Sequence, residues 1–238
     1  MKYTIDTHTH TLACGHAYST ILENAKQAAG RGLTHLAITD HAPGMEDSPH
    51  IRHFLNYVVL DKVLFGVEML YGAELDILDY RGSVSMENRM RRRLDLCIAS
   101  FHPDMLAPGS QAENTRAYLC AMQQYGVSII GHPEDGRVPV DYEALAREAK
   151  KTNTLLELNN TSLKKANFRK DARENAKTLL SYCERYGVRI ALGSDAHWAG
   201  DIGDLDMVSD LLEELSFPPE LVINRDPEAL KRYLESRK

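Results

Sequence analysis

The sequence lacks the features that mark membrane, secreted and nucleotide-binding proteins. Its apolar runs are all shorter than the roughly 18 residues of a membrane helix. The opening residues, MKYTIDTHTH, are largely polar and do not resemble a signal peptide. We therefore expect a cytoplasmic protein with no membrane partner. No Gly-x-Gly-x-x-Gly motif follows the first predicted strand, which excludes the usual dinucleotide-binding fingerprint.

Tryptophan and cysteine are also scarce, occurring once and four times, whereas histidine occurs ten times. The cysteines are far apart and form no Cys-x-x-Cys pair, which argues against a zinc finger and a thioredoxin-type redox site. A disulfide framework is not expected in a chain of this size without an export signal. Cys14 lies between two histidine motifs. We interpret it as a reduced structural residue rather than a metal ligand.

The chain has no excess of basic charge. Across 238 residues, 34 acidic and 28 basic side chains give a formal net charge of -6. This balance disfavours nucleic acid as the main partner. No linker or shift in composition divides the chain, so we predict a single domain over residues 1–238. Homo-oligomer formation is left open.

Seven short apolar runs alternate with longer amphipathic stretches, which predicts an α/β fold with parallel strands. The runs are Tyr3–Ile5, His35–Thr39, Met69–Gly72, Leu96–Phe101, Val127–Ile130, Leu155–Leu158 and Arg189–Leu192. The predicted helices are Thr20–Gly30, Gln111–Tyr125, Asp141–Lys151, Ala172–Tyr186 and Asp204–Leu215. Either an open doubly wound sheet or a closed barrel fits this pattern. Asp79–Gly82 predicts a tight hairpin turn, and Ala42–His53 predicts a lid or a long loop.

Metal-binding types of side chain follow six of the seven predicted strands. His8 and His10 stand two residues apart at the end of the first strand, so both point to one face and can reach one ion. The carboxyl ends of parallel strands meet on one side of an α/β fold. We therefore predict one metal site built by nine ligands. They are His8, His10, His16, His41, Glu74, His102, His132, Asp195 and His197.

Nine ligands are too many for one ion, because a catalytic zinc usually takes three protein ligands and keeps a position for water or substrate. With a bridging carboxylate, the set fits three divalent ions. Imidazole and carboxylate ligands favour zinc, with manganese or iron as alternatives, over magnesium and calcium. Three dications against two carboxylates leave a formal charge of about +4, which attracts an anion. A small phosphorylated substrate is the expected partner.

Taken together, these motifs resemble the polymerase-and-histidinol-phosphatase (PHP) family, in order along nearly the whole chain. They are Asp6–His10, Thr39–His41, Glu74, the His-Pro pairs at His102 and His132, and Gly193–His197. Residues His16–Thr20 and Met45–Asp47 resemble the YcdX-type bacterial phosphatases of that family. The resemblance implies a distorted (βα)7 TIM-like barrel with a trinuclear metal site at the C-terminal rim. It also implies phosphoesterase activity.

The resemblance further implies a role for each residue. One ion would bind His8, His10, Glu74 and Asp195, a second would take Glu74, His102 and His132, and a third would take His16, His41 and His197. The implied catalytic residues, around a hydroxide held between two metals, are Glu74, Asp195 and His197. Arg169 is a hypothetical phosphate contact. Asp40 is predicted to orient a ligand histidine.

The expected function is a metal-dependent phosphatase acting on small phosphomonoesters, and three alternatives stay open. A nuclease or phosphodiesterase of the same family is disfavoured by the acidic charge balance. An amidohydrolase-like enzyme that cleaves C–N bonds would also begin with His-x-His on a first barrel strand. Glu74 after the third strand and the seven-strand count disfavour it. The last alternative is a metal-binding protein without catalysis.

Overall fold

Strands and helices alternate along the chain in the computed structural model, which describes residues 3–164 and 169–237. The strands are β1 (Ile5–Asp6), β2 (His35–Ile38), β3 (Val63–Leu64), β4 (Val67–Tyr71), β5 (Ala73–Asp76), β6 (Cys97–Ser100), β7 (Ile129–Ile130), β8 (Leu155–Asn159) and β9 (Ile190–Gly193). The α-helices are α1 (Ile21–Arg31), α2 (Ile51–Leu55), α3 (Asn88–Arg91), α4 (Gln111–Met122), α5 (Tyr142–Thr152), α6 (Ala172–Tyr186), α7 (Asp206–Glu214) and α8 (Pro227–Ser236). Short 3-10 helices lie at Asn56–Val59, Thr161–Leu163, Ala199–Asp201, Pro219–Leu221 and Ile223–Arg225.

The strands form two sheets that are parallel except at one edge. The first sheet has the order β1-β2-β4-β3, and the second has the order β5-β6-β7-β8-β9. Only β3 runs antiparallel to its neighbour within these sheets. The predicted α/β fold with parallel strands is therefore confirmed. The strand pairing gives two sheets rather than the single closed sheet of the predicted barrel.

Gly72, the last residue of the predicted third strand Met69–Gly72, separates β4 from β5. β4 pairs with β2, whereas β5 pairs with β6. A Cβ atom on residue 72 would lie 2.5 Å from the carbonyl oxygen of Leu96, so the chain can pass this point only with glycine. The sequence analysis ended the third apolar run at Gly72 and did not predict β5, in which the charged residues Glu74 and Asp76 interrupt the apolar pattern.

The two sheets are joined at both sides by parallel bridges near the strand ends. One bridge pairs His41 with Glu74, and the other pairs Thr9 with Ala196. The backbone N–H of Asp195 also donates to the carbonyl of His8 at 2.9 Å. These links bring the carboxyl ends of β1, β2 and β9 together with Glu74, the second residue of β5, at the positions of the predicted ligands.

Helix ends follow the capping signals in the sequence. Thr20 and Glu23 form a complete capping box at the start of α1. α6 has the predicted bounds and ends at Gly187, which adopts φ 62°. Gly126 also has a positive φ, but α4 already ends at Met122, so the predicted helix to Tyr125 is too long. The sequence analysis missed α8, although Asp226 caps it and Pro227 opens it.

The amino-terminal ends of the strands enclose a second, smaller apolar core that α8 covers. It is built from buried residues of six strands and of the C-terminal segment, namely Ile5, Ala37, Leu96, Ile98, Ile129, Leu155, Ala191, Ile223, Leu230, Tyr233 and Leu234. Asn224 is fully buried beside it and donates to the carbonyls of Ile5 and Leu192 at 2.9 and 2.8 Å. α8 therefore closes the side of the fold opposite the predicted ligands.

The two segments that interrupt the alternation have different structures. Asp79–Gly82 forms the predicted turn, with the Gly82 N–H bonded to the Asp79 carbonyl at 3.0 Å and Ile77 paired antiparallel with Val84. The segment from Ala42 runs as a loop until α2 begins at Ile51. Among the described helices, none combines the length and the apolar character that crossing a bilayer requires.

Candidate metal centre

His8 and His10 lie at the centre of the site, with their side chains on the same side of the chain as predicted. Their Nε2 atoms are 3.1 Å apart. His8 Nε2 is 3.3 Å from Glu74 Oε2, and His10 Nε2 is 3.3 Å from Asp195 Oδ1. Both rings are fully buried. Nitrogen and oxygen atoms that converge in this way suit a shared cation, because each can offer a lone pair to it.

Glu74 uses its two carboxylate oxygens toward different histidines. Oε2 is 3.0 Å from His41 Nδ1, whereas Oε1 is 3.1 Å from His132 Nε2 and 3.3 Å from His102 Nε2. Ser100 Oγ donates to Oε1 at 2.6 Å. Burial raises the pKa of Glu74, but the surrounding histidines outweigh it and hold the pKa well below the ordinary value. The carboxylate can therefore contact two cations at once.

The outer part of the site is formed by three further histidines. The ring centroid of His16 lies 5.2 Å from that of His41 and 4.8 Å from that of His197. His41 and His197 also share a group with His10, in which the ligand atoms lie within 4.8 Å of one another. The side chain of His16 is 42% exposed, in contrast to the buried His10. The structure thus brings all nine predicted ligands to one side of the fold.

Two carboxylates that the sequence analysis missed bind the outer nitrogens of candidate ligands. Glu157 Oε1 is 2.7 Å from His8 Nδ1, and Asp76 Oδ1 is 2.7 Å from His102 Nδ1. Such contacts fix the tautomer and the orientation of a metal-binding imidazole. Both residues are fully buried. The available signal was a charged residue inside an apolar strand, since Glu157 stands between Leu156 and Leu158.

The Asp40 carboxylate is hydrogen-bonded to none of the nine candidate ligands among the described residues, although the Asp40 carbonyl accepts the backbone N–H of Glu74 at 3.1 Å. Its Oδ2 lies 3.1 Å from Nε2 of His53, a residue that the sequence analysis left outside the site. Oδ1 accepts hydrogen bonds from Thr11 N and from the Cys14 thiol. Burial raises the pKa of the Cys14 thiol, and the Asp40 carboxylate raises it further. The Cys14 thiol therefore lies between the Asp40 carboxylate and the His10 ring, one contact further from the ligand than predicted.

Arg169 points into the site beside Asp195. Its Nη2 donates to Asp195 Oδ2 at 2.9 Å, and its Nη1 donates to Ser162 Oγ at 2.7 Å. Burial lowers the pKa of Arg169, but nearby carboxylates, Asp195 first, raise it above the ordinary value. The guanidinium is therefore a permanent positive charge at the edge of the site.

A cavity of about 820 Å³ opens over these residues. Candidate ligands and Arg169 form one part of its wall, and Met45, Pro103 and Met105 supply an apolar part. Arg137, paired with Asp135 at 2.6 Å, also lines it. A cavity of this size accommodates a small organic molecule.

The donor set fits divalent metal ions. His41 Nδ1 lies 3.0 Å from Glu74 Oε2, yet this buried atom makes no hydrogen bond among the described residues. A short distance without a hydrogen bond is expected between two atoms that bind the same cation, because each directs a lone pair at the ion. Seven imidazoles with carboxylates between them suit zinc, manganese or iron. Magnesium and calcium prefer sites built from oxygen ligands alone.

The comparisons with known proteins agree with this geometry. The PHP domain family matches residues 6–221. A protein of Clostridium novyi named "Probable phosphatase" is 42% identical over 237 residues, which is 100% of this chain and 96% of that protein. A second "Probable phosphatase", from Acetivibrio thermocellus, is 42% identical over 238 residues, covering 100% of this chain and 98% of that protein.

A solved structure shares the fold at low sequence identity. It is the histidinol phosphate phosphatase of Lactococcus lactis, in complex with zinc, L-histidinol and phosphate. The match has a TM-score of 0.62 and 17% identity, and it covers 91% of this chain and 95% of that one. The family that the motifs indicated is thereby confirmed, and the chain belongs to the PHP domain family.

Proposed function

We propose that this protein is a metal-dependent phosphoesterase that hydrolyses small phosphomonoesters. The observation that carries the proposal is Glu74, a buried carboxylate whose two oxygens face different histidines within one cluster. Relatives that are 42% identical over the full chain are named as phosphatases. The Lactococcus lactis structure has a similar fold and was solved with zinc, L-histidinol and phosphate, which supports the proposal.

We infer that the two sheets together act as a distorted (βα)7 barrel in one domain over residues 1–238. Support comes from the smaller apolar core, which collects side chains from six strands of both sheets. The bridges at His41–Glu74 and Thr9–Ala196 connect the sheets on both sides. In this arrangement the candidate ligands lie at the C-terminal rim, where barrels of this type bind their substrates.

Three divalent ions are proposed, with zinc first and manganese or iron as alternatives. The ligand sets are His8, His10, Glu74 and Asp195 for one ion, Glu74, His102 and His132 for the second, and His16, His41 and His197 for the third. The short distances among His8, His10, Glu74 and Asp195 support the first set. The contacts of Glu74 Oε1 with His132 and His102 support the second, and the ring distances of His16 support the third.

The protein's own residues would bind the phosphate and face the leaving group. When bound, divalent ions lower the pKa of a coordinated water, which supplies a nucleophile near neutral pH. Arg169 can contact a phosphate oxygen, since its guanidinium lines the cavity and is held at both ends by Ser162 and Asp195. Glu74, Asp195 and His197 are the proposed catalytic residues because they line the cavity in which the substrate would bind. The apolar wall of Met45, Pro103 and Met105 would face the leaving group.

A substrate panel with defined metal content tests this function. Metal-free protein is reloaded with zinc or manganese and assayed on p-nitrophenyl phosphate, bis-p-nitrophenyl phosphate and an anilide. We expect turnover of the monoester well above that of the other two. Preferred cleavage of the diester would indicate a phosphodiesterase, and preferred cleavage of the anilide a C–N hydrolase. Fully loaded protein that left all three intact would refute catalysis of this kind.

Glu74→Gln provides the matching variant, because it removes the charge of the proposed bridge at little steric cost. We expect loss of a pair of ions and of most activity, with an unchanged circular dichroism spectrum. Elemental analysis measures the ions per chain. Wild-type metal content in Glu74→Gln would contradict the bridging role.

A further inference from the structure

The Cys14 thiol lies in a buried hydrogen-bond network behind the candidate metal centre. Its Sγ accepts the backbone N–H of His41 at 3.2 Å and donates to Asp40 Oδ1 at 3.2 Å. The same sulfur is 3.7 Å from His10 Nδ1. Cys14, His10 and Asp40 are each fully buried. The sulfur therefore connects the residues that follow β1 with those that follow β2.

Asp40 fixes the direction in which the thiol points. Its Oδ1 also accepts from Thr11 N at 2.7 Å, and its Oδ2 accepts from Thr11 Oγ1 at 2.8 Å. His53 Nε2 lies 3.1 Å from Oδ2. The carboxylate is thus surrounded by donors, and the thiol proton is one of them. With that proton directed at Asp40, the sulfur lone pairs face His41 and His10.

The two ring nitrogens of His10 have different tasks. Nε2 faces the cluster, 3.1 Å from His8 Nε2 and 3.3 Å from Asp195 Oδ1. For Nε2 to offer a lone pair to a cation, the proton of the neutral ring must be on Nδ1. Nδ1 faces the sulfur, which can accept this N–H. Cys14 thus takes the place at His10 that the Glu157 carboxylate takes at His8.

We propose that Cys14 is a positioning residue of the metal centre, a protonated thiol that fixes the tautomer and ring orientation of His10 and the backbone of His41. The inference rests on the proposed function, because it requires His10 to bind a metal ion. In the alternative arrangement, Cys14 would itself bind the metal ion. The ligand atoms of His10, Cys14 and Asp40 lie within 4.8 Å of one another. The test below separates the two.

The first experiment compares Cys14→Ala, Cys14→Ser and the control Cys183→Ala in the full-length protein. Cys183 on α6 is also fully buried but belongs to the large apolar core. Chelator competition measures zinc affinity. We expect Cys14→Ala to bind zinc about 10-fold more weakly, since removing an outer contact of a ligand histidine commonly costs 10- to 100-fold. Cys14→Ser should recover most of the affinity, because a hydroxyl also donates and accepts. Cys183→Ala should bind zinc as the wild type does.

Melting of the metal-free forms separates positioning from a general packing defect. Both alanine variants leave a small cavity and should melt below the wild type. Only Cys14→Ala should also lose zinc affinity. Equal loss of affinity in Cys14→Ala and Cys183→Ala, or unchanged affinity in Cys14→Ala, would overturn the proposal.

The second experiment uses cobalt(II) in place of zinc. We expect the wild-type spectrum to lack sulfur-to-cobalt charge transfer and its visible bands to change in Cys14→Ala. A charge-transfer band that disappears in Cys14→Ala would overturn the proposal, because it would make Cys14 a ligand. Failure of the proposed function would give a different experimental result. Wild-type protein would then bind zinc tightly without hydrolysing any phosphoester, and the affinity comparison would still decide the role of Cys14.

Discussion

Replacement of Glu157 by glutamine should weaken the metal centre from outside its ligand set. The carboxylate bonds two candidate ligands at once. Oε1 is 2.7 Å from His8 Nδ1, and Oε2 accepts the backbone N–H of His132 at 2.7 Å. Glu157 and His8 are fully buried, and His132 is 2% exposed. Water therefore cannot take over either contact when one is lost.

The size of the expected loss in zinc affinity follows from the number of acceptor oxygens that remain at position 157. A carboxylate can accept from both His8 Nδ1–H and His132 N–H, whereas a glutamine amide has one oxygen and directs its NH2 group at the other donor. One buried donor then loses its acceptor, which costs about 1–3 kcal/mol, and the charge-assisted bond to His8 is weakened as well. We expect zinc affinity to fall about 10- to 100-fold, within the range known for such outer contacts.

The assay is zinc dissociation from the loaded protein under chelator competition, with p-nitrophenyl phosphate turnover measured at saturating zinc. Glu184→Gln on α6 is the control, because Glu184 is exposed and the substitution removes the same charge from the chain. Unchanged zinc affinity in Glu157→Gln, or an equal decrease in Glu184→Gln, would refute the reasoning. A decrease confined to Glu157→Gln would support it.

Three further predictions concern proton competition, phosphate binding and the sheet break. Burial lowers the pKa of His102, but Glu74 and Asp76 outweigh it and raise the pKa to about 9, so the metal-free ring is protonated at pH 7. Zinc affinity should therefore rise with pH up to about 9, with proton release visible in calorimetry with different buffers; a pH-independent affinity would contradict this. Arg169→Met should raise KM for p-nitrophenyl phosphate at least about 10-fold, and an unchanged KM would remove Arg169 from the phosphate site. Gly72→Ala should lower the free energy of unfolding, measured in urea, by about 1–3 kcal/mol, because its Cβ would clash with the Leu96 carbonyl. In the control Gly30→Ala, the Cβ meets open space, and the variant should not be destabilised.

Much of the architecture could be predicted because it depends on local patterns. All seven predicted strands overlap observed strands, although the first meets β1 only at Ile5, and β3 and β5 were not predicted. The capping box at Thr20 and the left-handed Gly187 are determined by neighbours a few residues away. β5 was missed as a separate strand, since its separation from β4 at Gly72 depends on the carbonyl of Leu96, which is distant in sequence.

The nine candidate ligands could be predicted for a similar reason. Each follows a strand or lies in the first loop, and parallel strands place their carboxyl ends on one side whatever the detailed packing. The family follows from the same ordered motifs and is confirmed over residues 6–221. The sequence by itself thus determined the fold class, the side of the fold that carries the chemistry and the residue types available there.

Only the tertiary structure decided which side chains hold those ligands in place. Glu157 and His8 are 149 positions apart, and no periodicity connects them. Asp40 was predicted to orient a ligand histidine, and packing places the Cys14 thiol between Asp40 and His10. These contacts depend on distances of about 3 Å between side chains from different strands, and such distances are set by how the sheets meet. The ligand types are local properties of the chain, whereas their orientation is a property of the packed core.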